Sequence, residues 1–200
     1  MGINSIHNNN YKGTTSTMLI DAKEAFAPPS EDALIAQVKM GDQQAYAQLY
    51  TLHVKRVYAL CLRLLADKEH AEDATQEVFV QLWHKIASFE GQSQFSTWLH
   101  SVTSNIAISY LRKHKNWLQK VVSFEQSGMD EQSATDCQGL NGLDKLVLRL
   151  PERARMVFVL HAIEGYRHEE VATMLGMAVG SSKSQYHRAK QLLKEWYENE

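Results

Sequence analysis

Acidic side chains crowd together at Glu69, Glu72, Asp73 and Glu77, whose spacings of three and four residues would gather them on one side of a helix. Such a cluster suits a divalent cation, which takes several carboxylate oxygens, and nine histidines add nitrogen donors. A helical metal-dependent hydrolase or synthase would follow. The rest of that equipment is missing from the sequence: there is no His-Glu-x-x-His, no second acidic cluster to face the first, and no glycine-rich phosphate loop. Cys61 and Cys137 lie far apart and outside any Cys-x-x-Cys pair, so they support neither a zinc knuckle nor a disulfide framework and read as reduced thiols. No catalytic residue, metal or cofactor is expected.

The same stretch carries a second chemistry, that of contact. At about 100° per residue, Ala71, Ala74, Val78, Phe79, Leu82, Ile86 and Phe89 form a core stripe. Val80 and Trp83 fall outside it, among Asp73, Gln76, Glu77 and His84. A large aromatic within a polar, acidic face is what a protein-binding surface looks like, because the ring supplies area and the polar groups fix register. A solvated face with one stray aromatic is the alternative, and this helix alone does not decide between them.

A third chemistry is phosphate binding. The formal net charge is only −2, but the cations are grouped. Arg112, Lys113, Lys115 and Lys120 lie between Leu111 and Lys120 without an acid. Lys183, Arg188, Lys190 and Lys194 do the same between Val179 and Lys194. Two basic patches on an otherwise acidic chain point to nucleic acid more than the sum of charges does.

Helices must position all of these groups. Residues 1–29 are polar, end in Pro28-Pro29 and read as a disordered tail. Ser30 is a plausible N-cap for a short helix with Leu34, Ile35 and Val38, stopped by Gly41; Asp42 then caps a long helix whose stripe is Ala45, Leu49, Leu52, Tyr58, Cys61, Leu62 and Leu65. The helix of Trp83 runs from about Glu69 to Ser88. After a turn at 90–93, another spans about Gln94 to Lys115, with Phe95, Leu99, Val102, Ile106 and Tyr110 inward and Trp98, Ser101, Asn105 and Arg112 on a second face. Residues 118–140 turn to Ser, Gln, Gly, Asp and Glu and read as a flexible linker.

Beyond the linker, helices are expected at Leu143–Leu150, from Pro151 to Gly165, at Glu169–Leu175 and from Val179 to about Tyr197. A short Gly-containing turn leading into a basic last helix makes a helix-turn-helix. On that helix Val179, Tyr186, Ala189, Leu193 and Trp196 form the packing stripe, while Ser181, Ser184, His187, Arg188 and Gln191 lie opposite, flanked by Lys183 and Lys190. The expected fold is all-α, with two small helical domains at 30–117 and 141–200. The longest apolar run, 156–160, is far below the roughly 20 residues of a membrane span, and no signal pattern opens the chain. A soluble, cytoplasmic protein without stable membrane insertion is expected.

Together the halves resemble a bacterial RNA polymerase sigma factor of the sigma-70 family, in the extracytoplasmic-function (ECF) group that keeps only regions 2 and 4. The resemblance spans about Asp32 to Tyr197. It rests on Leu60-Cys61-Leu62-Arg63-Leu64-Leu65, on 71–79 with Leu82-Trp83, and on Phe95-Ser96-Thr97-Trp98-Leu99 in the first half. In the second half it rests on Leu150-Pro151-Glu152-Arg153, Glu164-Gly165, 169–172, Leu175-Gly176 and His187-Arg188-Ala189.

That resemblance implies no enzyme but an initiation factor. Asp73, Gln76, Glu77, Val80 and Trp83 would bind the clamp helices of the polymerase β′ subunit. Phe89, Gly91, Trp98, Asn105, Arg112 and Lys113 would meet the −10 promoter element and help melt it. Ser181, Lys183, Ser184, His187 and Arg188 would enter the major groove at the −35 element. A cognate anti-sigma factor is implied as well. A simple helix-turn-helix repressor would need only 143–197 and leaves the Trp83 face without a use.

The chain departs from the family pattern at Ser109, where Asp is frequent; at Arg167, where a capping Ser or Thr is usual; and at Ser182 and Gln185 in the last helix. Ser182 falls on the apolar stripe, where its hydroxyl must bond a neighbouring carbonyl or cost about 1–3 kcal/mol.

Overall fold

The computed structural model describes residues 29–122 and 142–199, with side chains up to 114 and from 142 onward. Residues 1–28, Cys137 and the rest of 123–141, and the side chains of Lys115 and Lys120 lie outside that description.

The first three helices begin on caps that the sequence supplies. The Ser30 hydroxyl accepts from the Ala33 N–H at 3.3 Å and opens α1 (Glu31–Lys39). The Asp42 carboxylate accepts from Gln44 and Ala45 at 2.8 and 3.0 Å and opens α2 (Gln43–Leu65). Between them Gly41 takes a φ of +90°, which glycine adopts without a Cβ penalty. Ala66 closes α2 in the left-handed region, and the Asp67 carboxylate, accepting from His70 N–H at 2.8 Å, opens α3 (Lys68–Lys85). A short 3-10 turn, Ile86–Ser88, leads towards α4 (Phe95–Val122). That last helix continues to Val122 instead of stopping near Lys115, so the first residues assigned to the linker are helical.

Leu49, Leu60 and Leu64 of α2, Val78 and Leu82 of α3, and Phe95 and Leu99 of α4 are buried in one core. Each such side chain contributes about 1.5–3 kcal/mol by leaving water. Two expected stripes need correction. Leu52 is 58% exposed and Tyr58 only half-buried, while their neighbours His53 and Val57 take the inward positions. On α4 the fully buried residues after Leu99 are Thr103, Ser104, Ala107 and Ile108, whereas Val102, Ile106 and Tyr110 are only half-buried. Small residues on the inner face allow α2 and α3 to approach the α4 backbone closely, and the larger side chains flank the seam.

The second half holds α5 (Gly142–Arg149), α6 (Glu152–Phe158), α7 (His168–Leu175) and α8 (Val179–Glu198). Pro151 precedes α6 as its cap residue, and α6 does not stop at Phe158 but widens into a π-turn, Val159–Ile163. Gly176, at φ +64°, ends α7 and starts the turn into α8. The start of α7 is firmer than Arg167 alone would make it, because the Glu170 carboxylate accepts from the Arg167 N–H at 2.7 Å. The architecture is all-α, with no strand among the described residues.

The two halves touch. Arg155 is fully buried and donates to the carbonyls of Leu64, Leu65 and Leu150 at 3.4, 3.3 and 3.1 Å. Arg63 pairs with Asp144 at 2.8 Å and His100 with Glu164 at 2.9 Å.

Candidate protein and nucleic-acid interfaces

The residues singled out from sequence fall on three surfaces. The first lies along α3. Asp73, Gln76, Glu77 and Val80 are exposed, Val80 by 51%, because the stripe from Ala71 to Leu82 turns the opposite side of the helix to the core. Asp73, Gln76, Glu77 and Val80 line an open groove of about 730 Å³ whose far wall is Ile106, Tyr110 and Lys113 of α4. The Tyr110 hydroxyl donates to Asp73 at 3.0 Å. Burial first, and then that carboxylate, push the phenol up to about 12, so it stays a donor at neutral pH. Gln81 donates to Glu77 at 3.1 Å.

Trp83 differs from its neighbours. It is half-buried, with its ring edge-on to Tyr46 at 5.0 Å, and the Tyr46 hydroxyl donates to the Phe79 carbonyl at 2.7 Å. The ring is therefore held in place while part of it faces solvent, which suits a contact residue because little rotamer freedom remains to be lost on binding. Tyr46 on α2 belongs to this surface and was missed in the sequence, where it falls beside the core stripe.

The second surface is the turn before α4 and the outward side of that helix. Gly91 is exposed at φ +74°. Phe89 is buried and packs at 5.4 Å against both Phe95 and Trp98, so it supports the half-buried Trp98 from beneath rather than facing outward. Lys39 donates to the Phe89 carbonyl and ties the turn to α1. Asn105, Arg112 and Lys113 are exposed. Arg112 donates to the Met174 carbonyl of α7, and Ser101 on the same face accepts from Tyr166 at 3.3 Å, so two residues of this face are engaged by the second half of the chain.

The third surface is α8. Ser181, Lys183, Ser184, His187 and Arg188 are all exposed, as are Lys190 and Gln191. Ala189 and Leu193 are buried and hold the opposite side against α6. Ser182 is fully buried, and its hydroxyl bonds not a carbonyl but the Nδ1 of His168 at 2.9 Å. The serine thus has a partner contributed by another helix. No group of three or more metal-ligating side chains is found among the described residues, and no described helix is long and apolar enough to cross a membrane.

Comparisons with known proteins match this arrangement. Residues 49–116 match the family Sigma-70 region 2, and residues 140–193 match Sigma-70, region 4. The chain is similar to the ECF RNA polymerase sigma factor SigW of Bacillus subtilis (strain 168), at 32% identity over 174 residues covering 80% of this chain and 93% of that one. It is similar as well to the ECF RNA polymerase sigma-E factor of Escherichia coli (strain K12), at 29% identity, covering 82% and 92%. Among solved structures it resembles the sigma factor RpoE in complex with the anti-sigma factor NepR from Bartonella quintana. That likeness has a TM-score of 0.52 and 26% identity, and it covers 76% of this chain and 96% of the other.

Proposed function

The chain belongs to the sigma-70 family of RNA polymerase sigma factors, in the ECF group, and from that premise we propose that it binds core polymerase, recognises −10 and −35 promoter elements and helps melt the DNA. The observation that carries this reading is the coexistence on one chain of two unlike surfaces. The exposed side of α3, with Asp73, Glu77 and Val80 lining a groove and the half-buried Trp83 beside it, suits a protein partner, and the cationic, hydroxyl-lined side of α8 suits a DNA groove. Asp73, Gln76, Glu77, Val80 and Trp83 are the clamp-helix contacts. Gly91, Trp98, Asn105, Arg112 and Lys113 meet the −10 element, with Phe89 holding Trp98 in place. Strand separation there needs no covalent chemistry: an extruded base stacks on an aromatic ring and cations hold the backbone. Ser181, Lys183, Ser184, His187 and Arg188 contact the −35 element through phosphates and base edges.

The domains are 30–117 and 141–200, each working on its own element. By their names the two elements lie about 25 base pairs apart, about 85 Å of duplex at ~3.4 Å per pair. Arg112 and Met174 touch directly, so the packed halves must part on the promoter. A solved relative is a complex with an anti-sigma factor, which supports a cognate anti-sigma partner here that would keep the halves from engaging polymerase. A repressor built on residues 143–197 alone would leave the α3 groove idle. Pull-down with core polymerase separates the two: a sigma factor is retained, and a repressor passes through.

A further inference from the structure

The helix-turn-helix half contains two histidines, a tyrosine and a serine whose arrangement promoter contact does not use. The π-turn Val159–Ile163 interrupts α6, a distortion frequent at functional positions, and places His161 against α7. Its Nδ1 lies 2.7 Å from the Tyr166 carbonyl oxygen; a carbonyl only accepts, so this nitrogen carries the proton. The His161 ring stacks on His168, with centroids 3.9 Å apart and planes 25° from parallel. Tyr186 of α8 stands edge-on to both, at 4.8 and 5.7 Å. His168, at the first position of α7, then reaches the buried Ser182 hydroxyl at 2.9 Å. Ser182 sits between the exposed Ser181 and Lys183, so whatever fixes its depth fixes theirs.

We propose that His168 is a positioning residue for the recognition helix: its neutral imidazole, stacked on His161, holds Ser182 and sets the depth and rotation of the first turns of α8, and protonation of that imidazole releases them. The consequence for promoters rests on the sigma-factor reading; the coupling within the helix-turn-helix does not.

The charges around the ring favour the neutral form. Burial first, then His161 of the π-turn and Lys183 of α8, hold His168 below the ordinary histidine range, and Glu169 of its own helix opposes them. Tyr186 faces the ring from α8 with the Lys190 ammonium 4.8 Å above it. The Glu170 carboxylate is occupied by the Arg167 N–H. A histidine held low binds its proton more readily in the unfolded than in the folded chain. Its contribution is therefore present above the ordinary value of about 6.5 and is lost as pH falls below it. His187 lies apart from this cluster, exposed on the outward side of α8.

The test is hydrogen exchange on the full chain between pH 7.5 and 5.5, with protection corrected for intrinsic rates and α2 as the internal reference. Wild-type residues 179–189 should lose about tenfold protection relative to α2 as pH falls to one unit below the ordinary histidine value. His168→Asn, whose amide keeps a hydrogen bond to Ser182 without titrating, should retain it; Ser182→Ala, which removes the other partner of the bond, should flatten the profile too and serves if the first variant does not fold. Parallel pH dependence of α8 and α2 in wild type, or an unchanged profile in the variants, overturns the proposal. In a second arm, holoenzyme selects duplexes from random DNA, and the affinity ratio between selected and −35-scrambled duplexes is followed over the same pH range. A ratio that falls in wild type and stays level in His168→Asn supports the coupling, and a wild-type ratio independent of pH overturns it with the sigma reading intact. If holoenzyme selects no sequence, that reading fails, and the exchange arm alone decides the proposal.

Discussion

Arg155 of α6 donates to the carbonyl oxygens of Leu64 and Leu65, at 3.4 and 3.3 Å, so a residue of the second half closes the last turn of a helix in the first. The end of α2 presents carbonyls without intrahelical partners, and a guanidinium there also meets the negative end of the helix dipole. Burial lowers Arg155 to about 10, against the raising effect of Glu152, which leaves it charged at neutral pH. Arg155→Met should therefore leave buried carbonyls unpaired and cost about 2–4 kcal/mol, read as a lower urea midpoint. Dyes placed on Lys55 and Lys194, each changed to cysteine in a background lacking native thiols, should report wider separation of the halves. An unchanged midpoint and separation would show that this contact does not hold the halves together.

The α3 groove makes a sharper prediction through Val80 than through Trp83. Trp83 packs on Tyr46, so its removal disturbs folding as well as contact. Val80 is exposed, and Val80→Asp should change stability by no more than about 0.5 kcal/mol. It should still weaken core polymerase binding by about 2 kcal/mol, roughly thirtyfold, if this position is central to the interface. Titration with labelled core polymerase measures it, and wild-type affinity would remove Val80 from the contact set.

Charge on α8 predicts a salt signature. A net charge of −2 gives the free chain little non-specific affinity for DNA, so promoter binding should be weak alone and tight in holoenzyme at about 150 mM salt. Lys183→Gln should lower the slope of log K against log salt by about 0.9 if that ammonium neutralises one phosphate. Nanomolar binding by the free protein, or an unchanged slope, would contradict these assignments.

Cys61 should be chemically silent. It is fully buried on α2, and burial pushes its thiol up to about 11 despite the Thr75 hydroxyl bond that lowers it. The reactive thiolate is scarce at neutral pH. In a Cys137→Ser background, disulfide reagents at pH 8 should label Cys61 only as the chain unfolds. Rapid labelling of the native protein would reopen a redox role.

Much of this was legible in the sequence because the signals are local. Caps at Ser30 and Asp42 and the stripe from Ala71 to Leu82 set helix starts and the outward side of α3 without knowledge of their partners. What escaped depends on distance. Nothing near Arg155 in sequence announces Leu64, and Arg112 reads as a free cation until Met174 lies beside it. The inner face of α4 was misread for another reason: Val102, Ile106 and Tyr110 outweigh Thr103, Ser104 and Ala107 in hydropathy, yet small side chains are what close helix approach requires. Ser182 lay between these cases. Its need for a partner was readable, but a histidine on another helix was not.

Run-off transcription with core polymerase on a promoter selected by the holoenzyme tests the central claim most directly. Core polymerase plus the wild-type chain should give a promoter-specific transcript, core alone should not, and Val80→Asp or Asp73→Ala should reduce the transcript at limiting factor by an order of magnitude or so. A transcript from core alone, or none with the wild-type chain added, would contradict the account; full transcription by both variants would displace the proposed interface.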